Sequence, residues 1–588
     1  MTIRIICDWQ DRPTSERWMV WGADGIVLAD LPSGYSAVPV GAVVDTAMDE
    51  CRDIIREIDS TLFRVDEHDG WSASNLCERN PYVSDFARRL TFSLALLRAA
   101  KEGGNHLVVT TDSSFAAALS DLCRRNGIDC VWHGQKLDTA RRVWRRLRHF
   151  AGYMRQHLRQ RNALRASGMT PSRLAARDLW LMTWARAGSF DKGGLKQPDL
   201  YFGDLAKQLA GAGWKVGALG VPAVWMDPIE KIAVAAAAAG EGNCLVPAFF
   251  TIRGFIGSLA RQFCLSRGLK NQFQVAGFDL FPLVRRALHQ EWDGLVAFRA
   301  SLLRDVGRMA AKLGCAPKVL LYPYENQPWE KQLLAGFRQH CPETLLVAYQ
   351  HAIFACNFVS GEPTKAQISQ RLMPDLLIAT GEEFRQRALL HGFPAERVLL
   401  GGSFRFPHFT SQEKVREAEH GLSTVLVSLP LQLDESVEIV SVAAEAFAEL
   451  PLKVIVSFHP MLDEASRQII RRIMGGNVEF SDRPARELLK AADLLLYNSS
   501  GTVFDATALS VPSIYLAPLA GFRMDKMPRG NPLTCRNAGE LRQMIEGFLA
   551  QPGQLQHHLV EMQKQMADVY HKQDFAVVAA ALKSWSHS

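Results

Sequence analysis

The chain has 588 residues, 48% of them hydrophobic and 22% charged, with a formal net charge of +6. This is length for several cores and an ordinary globular composition, and so mild a positive excess does not by itself imply nucleic acid. The 11 cysteines are scattered, with no Cys-x-x-Cys pair and no zinc-ligand spacing, which fits free thiols in a reducing cytoplasm. No run of about 18 uncharged apolar residues marks a membrane span, and the N-terminus lacks the apolar core of a signal peptide.

Residues 1–135 read as an N-terminal α/β domain. A first strand starts at Ile3. "NHLVVTTDSSFAAALSDLCRRNGIDCVW" then gives a buried strand, a polar turn, an amphipathic helix and another strand, the order of a βαβ unit. Thr111–Ser114 in that turn suits an anion, and equally a helix N-cap. Residues 136–170 form a basic helical linker. Lys136–Arg165 carries ten Lys/Arg against one acid, Asp138, with Trp144, Leu147, Phe150, Met154 and Leu158 at helical spacing. Such a helix can lie on an anionic membrane surface, or dock its apolar stripe on a neighbouring domain.

Residues 171–410 form a second α/β domain. It opens with the strand "RDLWLMTWA", the loop "RAGSFDKGGLKQPD", a helix stopped at Gly211 and Gly213, and a further strand. Residues 220–310 read as mostly helical, with a loop around "EGNCLVP". Strands return at "KVLLYPYENQ", "TLLVAYQHA", "DLLIATG" and "RVLLGG", and "GGSFRFPHFTSQEK" reads as an interdomain linker. Residues 411–588 hold a third set of strands, "STVLVSLP", "LKVIVSFHP", "VEFSD", "DLLLYNSS" and "SIYLAP", and a helical tail. Two successive Rossmann-like domains predict a cleft enzyme with its working residues just after the strands.

Those positions hold suitable chemistry. Ser499, Ser500, Gly501 and Thr502 follow "DLLLY" at a helix start, where free N–H groups and hydroxyls suit a phosphate; ordinary capping uses the same residues. His459 and Pro460 end the strand one β-unit earlier, and adjacent parallel strands would set His459 beside the Ser499–Ser500 turn. Glu325 and Asn326 follow one strand of the middle domain, with Trp329 and Glu330 beyond; Gln350 and His351 follow the next. A cleft carboxylate or His is the usual base. Glu325 is the first choice and Asp191 the second, with His351 as a substrate contact; a helix cap at Glu325 and a turn role for Asp191 are the alternatives. Arg405, Arg483 and Arg523 are loop cations that could face phosphate. No Asp-x-Asp motif ends a strand, so no metal is expected.

"GTVFDATALSVPSIYL", Gly501–Leu516, is similar to the Gly-x3-[Glu/Asp]-Ala-x4-[Val/Ile]-Pro-x-Ile pattern at the donor site of GT-B glycosyltransferases. The resemblance implies that Asp505 lies near the ribose or sugar of a nucleotide donor; Ser510 stands where many of those enzymes have Gly. The His-Pro and Ser-Ser pair resembles motifs of bacterial sialyltransferases and Kdo transferases, which bind the CMP moiety. Together with "MPDLLIATGEEFRQRALLHGFPAERVLLGGSFRF", residues 175–580 resemble a bacterial surface-carbohydrate biosynthesis family that includes proteins of leptospiral O-antigen loci.

These resemblances imply an α/β fold: a GT-B-like pair of Rossmann-type domains, acceptor-side 171–410 and nucleotide-sugar-binding 411–588, with an additional N-terminal α/β domain. They imply a glycosyltransferase moving a CMP-activated acidic sugar, Kdo or a sialic-acid-like nonulosonate, to a glycan or lipid-linked glycan. The nucleotide-sugar is co-substrate, no cofactor or nucleic acid is expected, and the expected location is the cytoplasm or the inner face of its membrane. A CDP-alcohol polyol-phosphate transferase and a non-catalytic membrane-associated scaffold on the same fold are the alternatives.

Overall fold

The computed structural model describes residues 2–13, 17–23, 31–65, 70–132, 134, 139–265, 272–410, 421–475, 478–519, 521–551 and 553–585. Lys136–Asp138 of the basic segment and Ser411–Lys414 of the linker lie outside them. Three parallel sheets organise the chain. The first comprises Ile3–Ile6, Trp18–Gly22, Tyr35–Ala37, His106–Val109 and Cys130–Trp132, in the spatial order third, second, fourth, first, fifth. Helices Val40–Val65, Phe86–Glu102 and Ser113–Arg125 pack with it. The Asp112 carboxylate caps the last of these from Ser114 N and Phe115 N and also pairs with Arg286 at 2.6 Å. The Thr111–Ser114 turn is therefore a helix cap tied to a neighbouring element.

The middle sheet runs Leu179–Ala185, Val216–Pro222, Asn243–Leu245, Val319–Pro323, Leu345–Tyr349, Leu376–Ala379 and Val398–Leu400. Asn243–Leu245, expected as loop, is its edge strand. The C-terminal sheet runs Thr424–Ser428, Lys453–Ser457, Val478–Ser481, Leu494–Tyr497, Ser513–Leu516 and Thr534–Cys535. Both sheets have the order third, second, first, fourth, fifth, sixth, and the middle one adds a seventh strand. This is the Rossmann order, which places a ligand crevice between the ends of the first and fourth strands. Central strands such as Leu345–Tyr349 and Leu494–Tyr497 are buried throughout, which is why they read as unbroken apolar runs.

The tail returns from the third domain to the second. Helix Gln554–Val569 packs on Thr502–Ala508, while Val578 and Leu582 of helix Phe575–Trp585 join the core of the middle sheet. The crossing is close: Ser403 N donates to His571 O, His571 N donates to Thr380 O, and a Cβ at Gly381 would overlap the carbonyls of Asp568 and Val569. The last helix thus belongs structurally with the middle domain. Cys356, after strand Leu345–Tyr349, hydrogen-bonds Asp525 O, after strand Ser513–Leu516, so the two sheets meet at their carboxyl ends. The fold is a GT-B-like pair of Rossmann-type domains with an additional N-terminal α/β domain.

That extra domain touches both partners. One continuous core joins it to the middle domain, from Ile3 through Trp180 to Phe393. Helix Phe281–Gly294, from the 250–310 insertion, packs on Ser113–Arg125. Helix Val40–Val65 reaches the C-terminal domain. Gly41 N donates to Leu519 O at 2.9 Å, and a Cβ there would overlap the Pro518 carbonyl; Asp45 accepts from Arg523 N and Asn357.

Candidate functional site

At the switch point of the middle sheet stands the turn "ENQPWEK". Asn326 adopts φ +59, a left-handed conformation that Asn tolerates better than most residues. Its side chain is buried and donates to Ser360 O at 2.9 Å, and Lys331, fully buried, donates to its carbonyl. Glu330 Oε1 accepts from Glu325 N at 3.0 Å and from Gln327 N at 2.9 Å. Glu330 is buried, which pushes its pKa up to about 8. It braces the turn. Asn326 is likewise a scaffold residue, and Trp329 donates to Gln327 Oε1 at 2.7 Å.

This rigid turn presents Glu325. Its side chain is 28% exposed, accepts from Gln327 Nε2, and lies 3.2 Å from His351 Nε2. His351 is 5% exposed, so it stands behind Glu325. Burial, partly offset by Glu325, lowers its pKa, leaving the ring neutral at neutral pH. A neutral ring facing a carboxylate carries its proton on Nε2; Nδ1 is buried with no partner. The Tyr201 ring packs edge-on at 4.9 Å. Arg405 donates to His351 O at 3.1 Å and lies over Tyr201, and its Nε is also unpartnered. Glu325 is thus the member of the pair that can reach solvent, and His351 positions it.

Other expected residues stand elsewhere. Gln350 uses its amide on Ala352 O, Thr380 N and the Thr380 hydroxyl, so it is structural. Asp191 sits exposed on the hairpin Phe190–Asp191/Gly194–Leu195. That hairpin leans on Val216–Pro222 and helix Ile229–Ala238, across the first strand from Glu325. Three tryptophans connect these carboxyl-end loops. Trp225, 57% exposed, meets Trp184 at 5.0 Å, and Trp184 meets Trp329 at 6.4 Å.

At the switch point of the C-terminal sheet three hydroxyls converge. Ser428 Oγ lies 3.1 Å from Ser500 Oγ and 3.1 Å from Thr502 Oγ1, and Ser500 donates to Thr502 at 2.9 Å. Ser428 ends the first strand, and in the sequence it reads only as the last residue of an apolar run. A hydroxyl closing the first strand of a Rossmann unit is the signal that would have found it. Gly501 is exposed beside the cluster, with open space where a Cβ would stand.

His459 is not adjacent to this turn. Strand Thr424–Ser428 lies between strands Lys453–Ser457 and Leu494–Tyr497, so the two turns are two strand spacings apart, roughly 9.6 Å. Half-buried His459 accepts at Nδ1 from Met461 N at 3.2 Å, and burial lowers its pKa, which favours a neutral donor over a cation. Pro460 is exposed in the turn. Ser499 also departs from the expected clamp: its hydroxyl donates to Glu435 and meets Tyr82 of the N-terminal domain. Asp505 is paired with Arg486 at 3.1 Å and His408 at 3.7 Å, a structural pairing that a ribose contact would have to displace. Ser510 has φ +57, the left-handed conformation that favours Gly just beyond a helix. Arg483 is exposed beside Glu487, and Arg523 lies 3.7 Å from Asp525.

Between Ser499 and the N-terminal domain opens a recess lined by Tyr82, Arg88, Asp434, Glu435, Glu438 and Asn498 among others. Burial raises Glu435 and pushes Glu438 up to about 7. The wall of this recess facing Ser499 is therefore supplied from outside both Rossmann domains, by Pro81 and Tyr82 of the segment "CERNPY" (77–82) and by Arg88. No family model matches the chain, and no curated protein matches it. Among solved structures, it is similar to CalG4, the calicheamicin glycosyltransferase (16% identity, 70% of this chain and 98% of that one, TM-score 0.37). It is also similar to the UDP-GlcNAc 2-epimerase from Neisseria meningitidis bound to UDP-GlcNAc (9%, 69% and 99%, 0.38) and to that of Methanocaldococcus jannaschii in complex with UDP-GlcNAc and UDP (11%, 69% and 99%, 0.39).

Proposed function

We propose that this protein is a nucleotide-sugar-dependent glycosyltransferase of bacterial surface polysaccharide synthesis. Its donor is a CMP-activated acidic sugar, and its acceptor a glycan, lipid-linked at the inner face of the cytoplasmic membrane. One observation carries the reading: two Rossmann crevices meet carboxyl end to carboxyl end, one lined by hydroxyls and the other by a carboxylate on a braced turn. Ser428, Ser500 and Thr502 donate to the donor phosphate, with His459 reaching it across the end of the first strand. In an inverting transfer Glu325 takes the acceptor hydroxyl proton as the anomeric carbon–phosphate oxygen bond breaks. His351 holds that carboxylate in place.

The test is donor binding by thermal shift across CMP-, CDP-, UDP- and GDP-linked compounds, since a ligand of the native state raises Tm by mass action. Selective stabilisation by CMP-sugars, lost in the Ser500→Ala/Thr502→Ala variant, is expected. Stabilisation by CDP-alcohols alone would replace the donor assignment, and an undiminished shift in the variant would remove the hydroxyl cluster from it.

A further inference from the structure

Helix Ile252–Cys264 carries large apolar side chains on its exposed side as well as on its packed one. Ser258 and Gln262 are buried at 0% and 1% exposure, while Ile252, Ile256 and Phe263 are 67%, 62% and 58% exposed. At 100° per residue the three apolar positions fall within about 40° of one another, a single stripe. A stripe of large apolar side chains turned to water, on a helix whose inner face already packs Phe255 and Leu259 into a core cluster, marks a surface suited to an apolar partner.

The basic helix Thr139–Ala166 repeats the pattern beside it. Phe150 and Tyr153 pack inward with Phe255 and Phe298, whereas Val143, Trp144, Leu147 and Leu158 are 48–70% exposed along the outer side. The two helices are bridged by Trp292, whose ring lies 4.8 Å from Phe263 and 5.9 Å from the Arg146 guanidinium. The charge is one-sided. Thr139–Ala166 contains nine arginines and no acid, and Ile252–Cys264 two arginines and no acid. Asp293 and Glu230 take up Arg145, Arg146 and Arg159. Arg148, Arg155 and Arg161 are exposed and have no ion pair among the described residues.

We infer that these two helices form one platform that seats the protein on an anionic bilayer. Phe263, Ile256, Trp144 and Leu147 enter the headgroup–acyl boundary while the free arginines pair with lipid phosphate. Apolar area combined with unpaired cations is the combination an anionic interface selects. A second copy of this chain would meet the same cations with like charge. The proposal stands apart from the transfer chemistry, because its readout needs no substrate.

The experiment is co-sedimentation of the full chain with phosphatidylcholine vesicles and with vesicles containing one quarter phosphatidylglycerol, in low and high salt. Three proteins are compared: wild type, Ile252→Ser/Ile256→Ser/Phe263→Ser, and Arg148→Glu/Arg155→Glu/Arg161→Glu. Circular dichroism and gel filtration establish that each variant is folded. Wild type is expected to bind the anionic vesicles at least tenfold more tightly than the neutral ones. The serine variant should lose tenfold or more in both salt conditions, and the glutamate variant should lose binding mainly at low salt. Wild type left in the supernatant with both vesicles overturns the proposal. So does a serine variant that binds like wild type, or a wild-type dimer that the serine substitutions convert to monomer.

Discussion

Glu325 and His351 allow a prediction with magnitudes. Replacing Glu325 with Gln keeps the hydrogen bond to Gln327 Nε2 in reach but removes the base, which should lower kcat about 10²–10⁴-fold. His351→Ala removes the 3.2 Å contact that holds the carboxylate. A hydrogen bond to a charged group is worth about 1.5–3 kcal/mol, so kcat should fall roughly 10–150-fold if all of it is spent on orientation. Because His351 acts through Glu325, the double variant should be no slower than Glu325→Gln alone, a coupling that a double-mutant cycle measures directly. The assay is nucleotide release from a CMP-linked acidic sugar under single-turnover conditions, with donor KM followed separately. Multiplicative losses in the double variant, or an active Glu325→Gln, would refute the assignment of these two roles.

Two further outcomes concern the fold. Glu291, buried and accepting from Asn75 N and Ala297 N, has its pKa pushed up to about 8 by burial. The folded form then holds a proton that the unfolded chain releases above its ordinary value near 4.5. Stability is therefore full below that value and falls by up to about 1.4 kcal/mol per pH unit until about pH 8. Glu330 acts in the same direction. Glu291→Gln should flatten part of this slope in denaturant titrations at pH 5 and 8, and an unchanged slope would reject the buried acid as its source. Gly41→Ala drives a Cβ into the Pro518 carbonyl; overpacking of this kind costs about 1–3 kcal/mol. A lowered Tm and faster proteolytic release of the N-terminal domain are expected, and wild-type values for both would show that the contact yields freely.

The strands and the turns after them were legible because a strand buried on both faces leaves an unbroken apolar run, as at Leu494–Tyr497, and a Rossmann fold puts its chemistry next in line. Strand order was not legible. Nothing local to "VIVSFHP" or "LLLYNSS" says that Thr424–Ser428 threads between them, so the pattern alone sets His459 beside Ser500 and gives Ser428 no mark of its own. Asp505 and Gln350 sit where the sequence put them along the chain, yet Arg486 and Thr380, each distant in sequence, decide where their side chains go. The Tyr82 wall was invisible for the same reason: "CERNPY" reads as an ordinary polar turn until the fold places it against Glu435 and Ser499.

That wall bears on how the cleft opens. Two lobes joined only by a crossing segment and a returning helix swing as a hinge. Here helix Val40–Val65 is bonded to Glu362 through Arg52 on one lobe and to Leu519 through Gly41 on the other. The N-terminal domain is a strut across the mouth. Its length fixes the gape between the lobes, and a substrate that needs a wider entrance must first detach one end of it.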